Sequence, residues 1–238
     1  ATQTVVDYHH GLKDLKKQTL RMIGDPATRY REDPVRLLRV VRFAAKLGFT
    51  IEPATKKPMA ETAKLLENIP QSRLFDEMIK LLQTGHALAS VAELRKQGLT
   101  QLFPLLAPLM TEPAQPKSKQ IQFIESALAD TDKRVAEDRS VVPSFMLACL
   151  IWHDVRERWQ AALAKGVHAV PALQEAIDAV FDARIGDISG RGKLGADMRE
   201  IWLMQPRFER RAGPTNLLGE KIRPVGGDGD GQILDARG

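Results

Sequence analysis

The sequence predicts an all-α protein, and three observations carry that prediction. Ala and Leu are frequent while aromatic residues make up only 5% of the chain, a balance that favours helices over sheets. Long stretches repeat their apolar residues at spacings of three and four, the period of an amphipathic helix. Pro, Gly or a capping residue punctuates those stretches at their ends. The 238 residues, 43% of them apolar, suffice for one large or two small domains with a real core. The net charge of +5 suits an anionic partner such as RNA. Cys149 is the only cysteine and lies in an apolar run, so neither a disulfide framework nor a cysteine-based metal site is available. No signal peptide opens the chain and no apolar run reaches the length of a membrane span, so no membrane partner is expected and a reducing cytoplasm is the expected compartment.

In chain order, T-V-V-D-Y at 4–8 reads as a short strand, and Gly11 as a turn before a polar helix start. Residues 29–49 form the clearest helix. Asp33 is a good N-cap, Pro34 suits the first helical position, and Gly48 suits the residue after the last turn. At about 100° per residue, Arg36, Arg39, Arg42 and Lys46 fall within roughly a 120° arc. Leu37, Leu38, Val40, Val41, Ala44, Ala45 and Leu47 fill the other side. The stripe is almost purely positive, and its acids, Glu32 and Asp33, stand at the N-terminal end. Asp33 and Arg36 are neighbours at i,i+3, so an acceptor and a fork of donors stand side by side, able to read the edge of a base. Of the aromatics near the stripe, Tyr30, Phe43 and Phe49, Phe43 sits at the edge of its basic side and is assigned to the core.

A second helix starts near Pro53, Asn68-Ile69-Pro70 breaks the pattern, and Ser72 caps a third, in which Arg73 and Glu77 make an i,i+4 pair. Another helix runs from Leu88 to Gln97 and ends at Gly98. Residues 111–120 read as a Pro-rich polar linker. Helices follow over 121–130, over the apolar run from Val142 to Trp152, over 171–185 and over 198–211. Residues 186–195 depart from this helical character, and 212–238, dominated by Gly and Asp, read as a disordered tail.

The run E-D-P-V-R-L-L-R-V-V-R-F-A-A-K-L-G-F, from Glu32 to Phe49, resembles the neck helix of the class II tRNA nucleotidyltransferase and bacterial poly(A) polymerase family. The resemblance extends back through Gly11, Asp14, Leu15, Lys16 and the run Arg21–Pro26, and forward to S-R-L-F-D-E-M-I-K-L-L at 72–82. It implies a multi-helix neck and body with only a remnant of the family's α/β head. The division it suggests is 1–20 as the end of the head, 21–110 as neck, 111–120 as linker, 121–211 as body and 212–238 as tail. Segment 198–211 resembles the body of bacterial poly(A) polymerases more than that of CCA-adding enzymes. The implied parent activity is template-independent addition of AMP from ATP to RNA 3′ ends with Mg2+. Asp33 and Arg36 would select the base through its Watson–Crick edge, while Arg39 and Arg42 would orient that pair or contact phosphate. Glu32, Arg73 and Glu77 would support the site. Arg29, Arg31, Lys46 and Lys80 would contact RNA. A CCA-adding fragment and a non-catalytic helical RNA-binding module are the alternatives.

Nucleotidyl transfer needs two divalent ions held by paired carboxylates. The family's D-x-D follows a Gly-Ser turn on a head strand, and no such element occurs in this sequence. Asp228-Gly229-Asp230 lies in the Gly-rich tail with no strand to fix it, so the metal ligands are expected outside this chain and the chain alone is expected to be inactive. His153-Asp154 resembles the dipeptide of metal-dependent phosphohydrolases, but His9, His10, His86 and His168 complete no ligand set. It is read as the polar end of a buried helix. No Gly-rich loop joins a strand to a helix, which leaves a P-loop unsupported.

Overall fold

The computed structural model describes residues 5–99, 101–110, 118–184 and 192–212. Apart from one pair of two-residue strands, its regular elements are helical. The chain divides into two compact units, Ala1–Leu102 and Phe103–Gly238. The expected linker at 111–120 lies outside the described residues as far as 117, and so does the expected tail from 213 onward.

The first unit runs α1 (Gly11–Lys16), β1 (Thr19–Leu20), α2 (Pro26–Glu32), α3 (Val35–Leu47), β2 (Thr50–Ile51), α4 (Pro53–Lys56), α5 (Met59–Thr62), a 3-10 stretch (Ala63–Asn68), α6 (Gln71–Leu82) and α7 (Ala87–Lys96). Val5–Tyr8 is not a strand, and Gly11 opens α1 instead of forming a turn. The strands are β1 and β2, which pair in parallel with Thr19 opposite Thr50 and Leu20 opposite Ile51.

Helix α3 is the centre of this unit and packs on α6 and α7. Leu37, Leu38 and Val41 are fully buried, each burial being worth about 1.5–3 kcal/mol. The apolar side is shorter than expected, because Leu47, in the last turn, is 47% exposed. At the other end the first residue in helix is Val35, one later than expected. The N-cap of α3 is Pro34 and not Asp33, which is extended and ends α2, although the Asp33 carboxylate accepts the Val35 N–H (3.3 Å). Gly48 ends the helix at φ +64°, the left-handed conformation that glycine adopts without a Cβ clash. In α6 the cap is not Ser72. Pro70 is extended and its carbonyl accepts the Arg73 and Leu74 N–H groups, which places Ser72 inside the first turn.

The second unit contains a 3-10 turn (Pro104–Leu106), α8 (Ala107–Met110), α9 (Lys119–Ala136), α10 (Pro143–Ala164), α11 (Ala169–Arg184), α12 (Lys193–Leu203) and α13 (Gln205–Ala212). Helix α10 is its spine, packed against α9, α11 and α12, with every residue from Ser144 to Trp152 buried. The Trp202 indole N–H donates to the Ala148 carbonyl (3.1 Å) and that of Trp159 to the Ala169 carbonyl (3.0 Å), so both buried donors are satisfied. The helix expected over 198–211 is broken at Met204, because Pro206 cannot continue a hydrogen-bond ladder but fits the first turn of a new helix. Residues 186–191 of the stretch expected to depart from helix lie outside the described residues, as does 185, and α12 begins at Lys193.

Candidate functional site

An open cleft of about 380 Å³ runs along α3 in the first unit. Arg36 and Arg39 of α3, Arg29 of α2 and Arg21 after β1 bring four guanidinium groups to its lining. Leu20, Met22, Ile23, Val40 and Phe43 supply the apolar wall. Its volume is within the usual range for a small-molecule site. Two of the stripe residues, Arg36 and Arg39, are therefore in the cleft, while Arg42 and Lys46 are not part of its lining.

Asp33 and Arg36 are not bonded to each other. Arg36 Nη1 donates to Glu32 Oε2 (2.9 Å) and to the Arg29 carbonyl (3.1 Å), and its other guanidinium donors have no partner among the described residues. Glu32 also accepts from Arg29 (2.9 Å). Hydrogen bonding from Arg36, with the charge of Arg29, holds the Glu32 carboxyl below the usual carboxylate range. Asp33 is held from α6, where Arg73 Nη2 lies 3.0 Å from both its carboxylate oxygens.

The expected pair of Arg73 with Glu77 does not form. One turn further along α6, buried Glu77 accepts from Lys80 (2.9 Å) and faces Arg42 Nη1 at 3.9 Å. Two ion pairs thus tie α6 to the start and middle of α3, Arg73 to Asp33 and Glu77 to Arg42. An i,i+4 rule considers one helix surface only, so it misses partners forty and thirty-five residues apart. Arg42 is 16% exposed at its side chain and belongs to this junction instead of the open stripe. Among the residues expected to contact RNA, Arg31 and Lys46 are exposed, Arg29 lines the cleft and Lys80 is engaged with Glu77.

Arg21 is a site residue that its sequence context did not single out for a role. Its Nε and Nη2 bond the Asp14 carboxylate (2.7 and 3.2 Å), and its Nη1 reaches Glu52 (3.1 Å). The hydrogen bond from Arg21 holds Asp14 below its ordinary pKa. Burial pushes Glu52 up, but hydrogen bonds from the Thr55 N–H and hydroxyl outweigh it and leave Glu52 lowered. The Thr55 hydroxyl in turn accepts the Met22 N–H (3.0 Å), so this wall of the cleft is anchored to α4. Arg39 is exposed and has no carboxylate partner among the described residues. Phe43 is not in the core: it is 39% exposed, with the Arg42 guanidinium 5.4 Å from its ring centroid.

His153-Asp154 is in the middle of α10, not at a helix end. Asp154 pairs with Arg184 of α11 (2.7 Å) and so links two helices, while His153 lies 3.7 Å from Glu157 on its own helix. A D-x-D of α9, Asp130-Thr131-Asp132, presents its carboxylates about 200° apart around the helix. Among the described residues no group of three or more His, Cys, Asp or Glu is placed to hold a metal ion, and no helix is long and apolar enough to cross a membrane.

Comparison with known proteins shows what the chain is similar to. One family model, "Probable RNA and SrmB- binding site of polymerase A", matches residues 48–110, and another, "Polymerase A arginine-rich C-terminus", matches 165–219. Poly(A) polymerase I of Haemophilus influenzae is 40% identical over 216 residues, covering 90% of this chain and 47% of the relative. Its namesake from Escherichia coli O6:H1 is 42% identical over 212 residues, covering 88% and 45%. Over about nine tenths of its length the chain is similar to bacterial poly(A) polymerases. It spans about half the length of the curated relatives it matches. The CCA-adding enzyme of Limosilactobacillus fermentum is 52% identical, but over 79 residues, 33% of this chain and 20% of that enzyme. The family-model match at 165–219 runs across 186–195, the stretch expected to depart from helical character. A solved structure titled "Structure of tRNA-processing enzyme complex 3" has the same fold over 85% of this chain and 47% of its own, with a TM-score of 0.51 at 23% identity. The all-α neck-and-body architecture therefore holds.

Proposed function

We propose that this chain is the nucleotide-selecting and RNA-binding part of a poly(A) polymerase, an enzyme that adds AMP from ATP to RNA 3′ ends. The observation that carries this reading is the arginine-lined cleft with Arg36 in its wall, while Asp33, three residues before Arg36 and outside that lining, is held by Arg73. Each is held by another residue, Asp33 by Arg73 and Arg36 by Glu32. Each keeps hydrogen-bonding capacity for a ligand: lone pairs on Asp33, and guanidinium N–H groups on Arg36. A carboxylate and a guanidinium fixed in this way accept from the amino group of adenine and donate to its ring nitrogen, with little ordering cost on binding. Arg39, without a carboxylate, contacts phosphate, whereas Arg42, tied to Glu77, orients the pair.

Arg29, Arg31, Lys46 and Lys80 track the RNA backbone in this reading. RNA affinity should then fall steeply with salt, by a slope of about −0.7 per single-strand phosphate neutralised. The described residues do not fit a metal centre, so the Mg2+-dependent transfer is assigned outside them. The single buried Cys149 agrees with a reducing cytoplasm.

Arg36→Ala in a polymerase of full family length carrying this chain should lower both rate and preference for ATP, and unchanged values would sink the proposal. The purified 238-residue chain should incorporate no labelled AMP with magnesium and RNA. The stretch shared with the L. fermentum enzyme favours CCA addition as a second reading. Competing CTP against ATP on a tRNA acceptor separates the two. A purely RNA-binding module would show no rise in melting temperature with ATP, whereas a nucleotide site stabilises by mass action.

A further inference from the structure

Phosphate alone asks only for positive charge, yet much of the cleft wall is apolar. Met22 and Ile23 come from the segment after β1, Val40 and Phe43 from α3. Ile23 is 60% exposed and Phe43 39% exposed, so neither is committed to the core. The Phe43 ring is also held in place, since Arg42 lies 5.4 Å from its centroid and is itself tied to Glu77 of α6. An exposed, oriented aromatic ring beside the guanidinium groups of Arg36 and Arg39 offers a flat π-face next to an anion site. That combination matches a nucleotide, whose base is planar and apolar on its faces and whose phosphates are anionic.

We propose that Phe43 is the stacking surface for the nucleotide's base, with Met22 and Ile23 completing an apolar clamp in the arginine-lined cleft. The proposal rests on the reading of the cleft as a nucleotide site and adds the residue that makes it a base site, not only a phosphate site. Asp33 and Arg36 read the edge of the base, and Phe43 holds its face.

Calorimetric titration of the 238-residue chain with ATP and with inorganic tripolyphosphate tests this. Phe43→Ala and Phe43→Leu should each weaken ATP binding roughly tenfold, the scale of one lost stacking contact. Phe43→Tyr, which keeps the ring, should stay within about twofold of the unmodified chain, and tripolyphosphate should bind all four proteins alike. Phe43→Leu keeps apolar bulk and guards against a folding defect. If the unmodified chain binds ATP and Phe43→Leu binds it equally well, or loses ATP and tripolyphosphate in equal measure, this inference is overturned and the nucleotide site stands. If the unmodified chain binds no ATP, both fall.

Discussion

Arg73 and Glu77 sit one turn apart on α6, and truncating each to Ala should give opposite phenotypes. Arg73 is 49% exposed and its partner Asp33 25%, so their pair is largely solvated and worth at most about 1 kcal/mol. Glu77 is 9% exposed and faces Arg42, itself only 16% exposed. Removing Glu77 strands a mostly buried guanidinium, and breaking a buried pair costs about 3–5 kcal/mol. The 3.9 Å separation from Arg42 and the Glu77 Oε2 that lacks a hydrogen bond put the loss at the low end, about 3 kcal/mol. For a unit of this size 1 kcal/mol shifts the midpoint by roughly 4–8 °C. Glu77→Ala should therefore lower it by about 12 °C or more, and Arg73→Ala by a few degrees. Arg73→Ala releases the Asp33 carboxylate, so under the proposed nucleotide reading it should abolish most of the melting-temperature rise expected with ATP. Thermal unfolding of both variants, with and without ATP, checks this. An Arg73→Ala midpoint as low as that of Glu77→Ala, or an undiminished response to ATP, would refute the division between positioning and structural pairs.

Alkaline unfolding should report Tyr30. Burial pushes its hydroxyl up to about 12, against about 10 in the unfolded chain. The unfolded state therefore gives up its proton first, and stability that is intact below pH 10 falls as pH rises towards 12, by about 3 kcal/mol. Urea unfolding on either side of pH 10 should show this slope and Tyr30→Phe should remove it, at the cost of the hydrogen bond to the Thr55 carbonyl. Gly48→Ala should cost about 1 kcal/mol in urea unfolding. Its φ of +64° opposes a side chain although nothing lies within 4 Å of the added Cβ, so the loss is conformational and a packing change at a neighbour should not restore it.

Helix α3 was legible because a 13-residue helix repeats its pattern several times, and the residues that bound it, Pro34 and Gly48, have a local chemistry. Strands of two residues leave no period to read, so β1 and β2 were invisible and T-V-V-D-Y was the wrong candidate. The site's residues were visible as types, but their partners were not. Asp33 to Arg73 and Arg21 to Glu52 are contacts that tertiary packing makes, with no trace in local spacing. Phe43 shows the same limit from the other side. Its exposure depends on what the chain places over the edge of α3, and with the Arg42 guanidinium 5.4 Å from its centroid the ring is still 39% exposed.

The two-residue ladder of β1 and β2 governs more than its length suggests. It aligns Leu20 with Ile51, and the chain leaves it directly into Arg21, Met22 and Ile23. Side chains alternate along a strand, so a slip of one residue would turn Arg21 away from Asp14 and Glu52 and rotate Met22 and Ile23 out of the cleft. The width of the opening beside Arg36 is thus a matter of backbone alignment between two threonines, Thr19 and Thr50, that line no part of it. Changes at those positions would retune ligand affinity without touching the ligand, through the spacing of a wall they only hold in line.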